Sequence, residues 1–131
     1  MQLKNYFSTT IGTGVMATAS ESGEVDTALY ASPHFISDDT IAFIMRDRLT
    51  RANLQTNPRA NYMFIEHTQG FKGMRLFLQM IEESTDQEAI ESLSRRNISA
   101  EQNEALGPRF LVTFKIAKAL QLVGGKEISI G

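Results

Sequence analysis

The sequence predicts a mainly β protein with short helices, a six-stranded antiparallel split β-barrel of Greek-key type. Three observations lead to this prediction. About six segments alternate apolar and polar residues with the period of two that marks a strand. Most of these segments are joined by short polar turns, and strands joined in that way pair antiparallel. Six strands around one core favour closure into a barrel, because closure removes the exposed edges.

Length and composition predict a soluble single domain, residues 1–131. The chain is 42% hydrophobic and 21% charged, which is ordinary for a globular protein with a real core. A net charge of −2 predicts no general affinity for nucleic acid or anionic membranes. No apolar run is long enough to span a bilayer, and no signal-peptide core is visible, so we expect a cytoplasmic protein. The absence of cysteine excludes disulfides and thiolate nucleophiles.

A short N-terminal helix is predicted by apolar residues at helical spacing within residues 3–11. Gly12 and Gly14 are expected to end it, because glycine is favoured just beyond a helix C-terminus. A first strand over residues 14–20 follows. The turn at residues 21–24 then leads into the second strand as a hairpin.

The second predicted strand, residues 25–36, is long and contains Pro33. Proline donates no ladder hydrogen bond, so we expect an edge, a bulge or a bend at this position. The third and fourth strands are predicted at residues 40–46 and 61–66. A short helix lies between them.

The fifth predicted strand, residues 74–82, is partly apolar on both faces. Met74 and Leu76 fall on one face, whereas Phe77 and Ile81 fall on the other. A small barrel has only one interior, so the second face would otherwise form an exposed apolar patch. Burial in a homodimer interface would be one explanation.

Two helices are predicted before the last strand. Residues 85–88 and residues 99–102 both have the form of a capping box, which marks a helix N-terminus. Gly107 and Pro108 end the second helix. The last strand, residues 109–123, alternates well before two glycines release the chain into a polar tail.

An anion-binding turn is predicted within residues 42–58, where the third strand runs into the short helix. The helix must end at Asn57, because the residue before a proline is pushed out of the α region. The start of a helix leaves free backbone N–H groups, and its dipole favours an anion. The arginines at residues 46–51 and the hydroxyl of Thr50, a candidate helix cap, suit phosphate oxygens. A solvated charged turn is the alternative interpretation.

Recognisable catalytic machinery is absent from the sequence. The two histidines, His34 and His67, have no second ligand at metal spacing, so we expect no metal site. The nucleophile elbow, the Rossmann glycine fingerprint and the Walker A pattern are all missing. A protein of this kind needs a cofactor if it carries out redox chemistry.

Several short motifs follow one another along nearly the whole chain. They are GVMAT at residues 14–18, the turn glycine Gly23, TIAF at residues 40–43, RANL at residues 51–54, NPR at residues 57–59, GFKGMRLFL at residues 70–78, and PRFLVTFKIAKALQLVGG at residues 108–125. In this order and spacing they resemble the pyridoxamine-phosphate oxidase-like family of FMN-binding split barrels.

The resemblance implies a homodimeric oxidoreductase with FMN between the subunits and a small-molecule substrate or electron donor. Relatives with this barrel bind haem or a deazaflavin, so these remain alternatives, as does a non-enzymatic binding or sensing role. Ten cofactor-binding residues are implied. Leu29, Tyr30 and Ala31 would line the isoalloxazine; Phe43, Ile44 and Met45 would lie beside the ring and ribityl chain; Arg48, Leu49, Thr50 and Asn53 would surround the phosphate.

Two departures from the family pattern are visible. Leu49 stands where many members carry a basic residue, so Arg48 or Arg51 would have to supply the charge. The C-terminal substrate-binding arginine and histidine of pyridoxamine-phosphate oxidase have no match here. These departures argue against oxidation of vitamin B6 itself. The catalytic residues and the substrate are left open.

Overall fold

The computed structural model describes residues 2–94 and 98–130, which form one antiparallel sheet and four short helices. The strands are β1 (Gly12–Ala19), β2 (Val25–Tyr30), β3 (His34–Ser37), β4 (Thr40–Arg46), β5 (Arg59–Glu66), β6 (Gly73–Ser84), β7 (Arg109–Gln121) and β8 (Glu127–Ile128). The helices are α1 (Leu3–Thr9), α2 (Leu49–Thr56), α3 (Gln87–Leu93) and α4 (Ala100–Ala105).

The sheet closes into the predicted split barrel. Its strand order is β2-β1-β5-β6-β7-β4-β3, with β8 added beside β7. Only residues 31–33 separate the two end strands in the chain, so the ends of the sheet lie close together. Aromatic rings also cross the interior: the ring of Phe43 on β4 lies 5.0 Å from that of Tyr62 on β5.

The described part of the chain has eight strands rather than the predicted six, for two reasons. The predicted second strand is interrupted at residues 31–33, next to the proline that cannot donate to the ladder. The predicted polar tail contributes β8, because Gly124 adopts φ 83° and the chain turns back to pair with β7. A bend and a short return therefore raise the count without changing the topology.

The prediction that Gly12 and Gly14 end the first helix is wrong. The helix ends at Thr9, and both glycines lie in β1. A Cβ atom at Gly14 would collide with the phenol of Tyr62, and one at Gly12 would collide with β5. These glycines permit a close approach of strands and side chains instead.

The starts of α3 and α4 follow the predicted cap chemistry with one shift. Ser99 and Gln102 form a complete capping box at α4, as predicted. The cap of α3 is Asp86 rather than Thr85, because the Asp86 carboxylate accepts hydrogen bonds from the backbone of Glu88 and Ala89.

The core fills the barrel with large apolar side chains from nearly every strand. Tyr62, Phe64, Phe114, Met16 and Leu76 are fully buried there. The first helix packs Leu3 and Phe7 into the same cluster. In the described part of the chain, no helix is long and apolar enough to cross a membrane.

Candidate functional site

A pocket of about 520 Å³ lies beside the interruption between β2 and β3. Its volume is in the range typical of small-molecule sites. It is lined by Asp26, Thr27, Ala28, Leu29, Tyr30, Ala31, Ser32, His34, Phe43, Ile44, Arg46, Arg48, Leu49, Thr50, Ser94, Ile98 and Arg109. The cavity therefore lies where the end of β2, the start of β3, the strand β4 and the start of α2 meet.

One wall of the pocket is apolar. Phe43 is buried, and the ring of Tyr30 stands edge-on to it at 6.0 Å. The buried hydroxyl group of Tyr62 donates to the carbonyl oxygens of Tyr30 (3.3 Å) and Ala31 (3.0 Å). Tyr30 is the last residue of β2 and Ala31 lies just beyond it, so the hydroxyl of Tyr62 ties the start of the interruption to β5.

The other side of the pocket is cationic and begins at α2. The N-cap of α2 is Arg48 rather than Thr50, and no side chain caps this terminus. The first N–H groups of the helix therefore lack intrahelical partners, and the helix dipole favours an anion beside them. Thr50 is only 4% exposed and lies in the first turn. Arg48 forms no ion pair with any residue that the structure describes.

Tyr30 carries the titratable phenol of the apolar wall. Burial raises the pKa of this phenol, and hydrogen bonding with Thr50 and the charge of Arg48 partly oppose the increase. The phenol is therefore protonated at neutral pH and can donate a hydrogen bond into the pocket.

Eight of the ten residues implied by the resemblance line this pocket; Met45 and Asn53 do not. Met45 is 1% exposed in the barrel core. The side-chain amide of Asn53 donates to the hydroxyl of Thr18 at 3.0 Å, both groups being buried, and this bond ties α2 to β1.

Arg51 also lies away from the pocket wall. Its guanidinium forms a two-pronged ion pair with Glu83 at 2.7 and 3.0 Å and a further bond to Asp47. It also stacks 3.6 Å above the ring centroid of Phe110. Of the two arginines considered as replacements for a basic residue at Leu49, Arg48 is the one in the pocket.

Arg46 and Arg109 are pocket residues that the resemblance did not supply. They face each other across the β4–β7 ladder. That pairing depends on the strand order, so no local pattern in the sequence marks Arg109 as a neighbour of the anion-binding turn.

The two histidines occupy different environments. His34 begins β3 and lines the pocket. The Nε2 atom of His67 lies 2.7 Å from the hydroxyl of Thr13, outside the pocket. Over residues 2–94 and 98–130, no group of three or more His, Asp or Glu side chains could hold a metal ion.

This combination of a split antiparallel barrel and a pocket at its strand interruption places the protein in a known structural class. The family model described as pyridoxamine 5'-phosphate oxidase matches residues 5–122. The chain therefore belongs to the pyridoxamine 5'-phosphate oxidase family. No curated protein sequence matches it.

Solved structures show the same fold at low sequence identity. An FMN-binding protein from Syntrophomonas wolfei is 20% identical, with a TM-score of 0.74; the match covers 94% of this chain and 85% of that one. HupZ from Group A Streptococcus is 17% identical, with a TM-score of 0.72 and 90% of each chain covered. A heme-binding protein from Mycobacterium smegmatis is 12% identical, with a TM-score of 0.69; the match covers 98% of this chain and 57% of that one.

Proposed function

We propose that the protein is a homodimeric FMN-binding oxidoreductase whose cofactor occupies the pocket at the β2–β3 interruption. The observation that carries this proposal is the junction of an apolar wall with an uncapped helix N-terminus and Arg48 in one cavity. A flavin mononucleotide has the same division into a flat ring and a dianionic phosphate. Membership of the pyridoxamine 5'-phosphate oxidase family supports the proposal.

The phosphate end of the pocket fits the cofactor chemically. Arg48 supplies a cation, Thr50 supplies a hydroxyl, and the first turn of α2 supplies backbone N–H donors. Charge-assisted hydrogen bonds of this kind are the strong ones in phosphate recognition. The side chain of Leu49 is 53% exposed at the same turn, so it adds apolar surface and no charge.

The ring end fits an aromatic heterocycle. Phe43 and Ile44 supply apolar surface, and Tyr30 supplies a hydrogen-bond donor. Bound FMN supplies electron and hydride transfer, and the chain's own residues would orient the ring and exclude water from it. No acid–base residue is required for this role.

The proposed homodimer is supported by apolar surface that a single chain leaves uncovered. Val25 and Leu29 on β2 are 69% and 76% exposed, and Leu29 lines the pocket. On β6, Ile81 is 53% exposed and Phe77 is half-buried. A second copy packed on these outer faces would bury them and close the open side of the pocket.

The absorbance spectrum of freshly purified protein tests the cofactor. We expect the bands of an oxidised flavin, and quenching of added FMN fluorescence with one FMN per subunit. A colourless protein that leaves FMN fluorescence unchanged would refute the proposal. Non-enzymatic binding would be favoured if NADH and NADPH leave the bound flavin oxidised and no electron acceptor reoxidises it after chemical reduction.

Haem binding is the second candidate, because His34 lines the pocket and imidazole is a common haem ligand. If the purified protein shows a Soret band that is lost in His34→Ala and kept in His67→Ala, the cofactor is haem rather than FMN. A deazaflavin spectrum would retain the redox proposal with a different cofactor.

A further inference from the structure

Arg51 joins the first turn of α2 to the strands β6 and β7. Its guanidinium forms a two-pronged ion pair with Glu83 on β6, at 2.7 and 3.0 Å, and stacks 3.6 Å above the ring centroid of Phe110 on β7. A third bond of 3.0 Å reaches Asp47, just before the helix. The side chains of Arg51 and Glu83 are only 18% and 20% exposed. A forked ion pair of this kind fixes geometry as well as adding energy.

The anion-binding turn lies between the residues of the Arg51–Asp47 bond. Asp47 and Arg51 are four residues apart, so the bond spans the start of the helix. The three residues between them, Arg48, Leu49 and Thr50, all line the pocket. No side chain caps α2, and a helix of eight residues is marginal by itself in water. The direction of its first N–H groups therefore depends on contacts with the rest of the barrel.

Arg51 is not itself a cation of the pocket. It is not among the lining residues, and the carboxylates of Glu83 and Asp47 balance its charge. Its contacts instead fix one side of α2, while the bond from Asn53 to Thr18 on β1 fixes the other. The helix start is therefore held from two directions.

We propose that Arg51, held by Glu83, is a positioning residue of the phosphate site: it keeps the first turn of α2 in the orientation that binds the cofactor phosphate. The proposal rests on the proposed function, because it names what holds the phosphate site of that function in place. Donors that are already oriented bind more tightly than donors that must first be ordered. Loosening the Arg51–Glu83 pair should therefore weaken binding of the phosphate and leave the ring end nearly unchanged.

Two conservative variants separate positioning from simple attraction of charge. Glu83→Gln removes the carboxylate that holds Arg51 and makes this region more positive, so attraction alone predicts equal or tighter FMN binding. Arg51→Lys keeps the charge but loses the two-pronged geometry. Positioning predicts that each variant weakens FMN by about tenfold, as for one charge-assisted hydrogen bond lost through misalignment, and riboflavin by less than about twofold. Fluorescence titration measures both affinities, and unchanged or tighter FMN binding in Glu83→Gln would overturn the inference.

Arg75→Gln is the matched control for the loss of a bond between elements. Arg75 on β6 donates to the carbonyl oxygens of Gln121 and Gly124, and it is not among the pocket residues. The ratio of FMN affinity to riboflavin affinity should stay at the wild-type value in Arg75→Gln, whatever its thermal stability. A ratio that falls equally in Arg75→Gln and Glu83→Gln would mean that Arg51 is an ordinary structural ion-pair residue, and the inference would be wrong.

Inorganic phosphate titrated into FMN-free protein tests the positioning without the flavin. The backbone N–H resonance of Thr50 in a ¹H–¹⁵N NMR spectrum should shift saturably, and with weaker affinity in Glu83→Gln than in wild type. This result in a protein that binds no FMN would refute the flavin proposal and keep the positioning role. FMN binding that is insensitive to Glu83→Gln would refute the positioning role alone. A wild-type protein that binds neither FMN nor phosphate at this turn would refute both.

Discussion

At the scale of single residues, Arg48 and Thr50 illustrate how position decides between structure and binding. Both lie at the start of α2, yet neither caps it with a side-chain hydrogen bond. Arg48 is exposed at the pocket and Thr50 is buried beside it. Arg51, only one residue further, is committed to Glu83 and contributes to packing. Neighbouring polar residues in one helical turn therefore differ completely in availability to a ligand.

Replacing Arg48 by alanine and Thr50 by valine should weaken FMN far more than riboflavin. The two ligands share the ring and differ in the phosphate. Each lost charge-assisted hydrogen bond is worth about 1.5–3 kcal/mol. Two of them correspond to on the order of 100-fold or more in FMN affinity, since ~1.4 kcal/mol is tenfold. Fluorescence titration measures both affinities.

Unchanged thermal stability of the ligand-free double variant is the control for folding. Equal weakening of FMN and riboflavin in a folded variant would show that the phosphate binds elsewhere, even if the protein is a flavoprotein.

Asn53→Ala should destabilise the protein by about 1–3 kcal/mol, because it leaves the buried hydroxyl of Thr18 without its partner. Urea unfolding gives the free-energy difference. Gln55→Ala on the exposed side of the same helix is the matched control and should cost less than about 0.5 kcal/mol. Equal losses at both positions would mean that the α2–β1 bond contributes nothing specific.

At the scale of elements, α1 is attached to the barrel by packing and by one polar bond. The hydroxyl of Tyr6 donates to the carboxylate of Glu66 on β5 at 2.5 Å, and its ring stands edge-on to Phe64. Burial, together with the hydrogen bond and the negative charge of Glu66, raises the pKa of Tyr6 far above its usual value. The attachment of α1 to β5 therefore depends on a phenol that must stay protonated in order to donate its hydrogen bond.

The raised pKa of Tyr6 predicts a loss of stability at alkaline pH. The phenol of the unfolded chain ionises near its usual pKa of 10.0, whereas the folded one holds its proton, so this stabilisation is complete below pH 10. It decreases as the pH rises above 10 toward the folded pKa. Urea unfolding between pH 8 and about 11 should show a smaller decrease in Tyr6→Phe than in wild type. Identical pH slopes in the two proteins would rule out this linkage.

At the scale of the whole molecule, several large apolar residues of the described chain are exposed. Leu29 and Leu49 line the pocket, Ile81 lies on β6, and Phe71 in the β5–β6 connection is 83% exposed. The proposed dimer uses the outer faces of β2 and β6, because a partner there both buries them and completes the cofactor site.

Light scattering with Leu29→Asp tests which exposed residues form the interface. We expect wild type to have twice the 14.6 kDa chain mass, and Leu29→Asp to dissociate and lose FMN affinity at least tenfold. Phe71→Asp places the same charge at an exposed position outside β2 and β6 and should remain dimeric with FMN bound. A wild-type protein that is monomeric at micromolar concentration, or a dimer broken only by Phe71→Asp, would contradict the proposed interface.

The sequence by itself determined most of the strands and the turn where β4 runs into α2, but it missed the interruption at residues 31–33 and the strand β8. Period-two alternation and the proline after Asn57 are local signals, so they need no knowledge of the fold. The capping box at Ser99 is local in the same way, and it was predicted correctly. Thr85 and Asp86 are both good caps, and only the folded geometry selects Asp86.

Only the tertiary structure decided which residues face the pocket. Gly12 and Gly14 look like a helix end in the sequence, but their need for glycine comes from Tyr62 and β5, about fifty residues away. Arg109 reaches the pocket because β7 pairs with β4, and Asn53 is kept out of it by Thr18 on β1. These contacts join residues that are distant in the chain, so their side-chain environments depend on strand order, which no local pattern encodes.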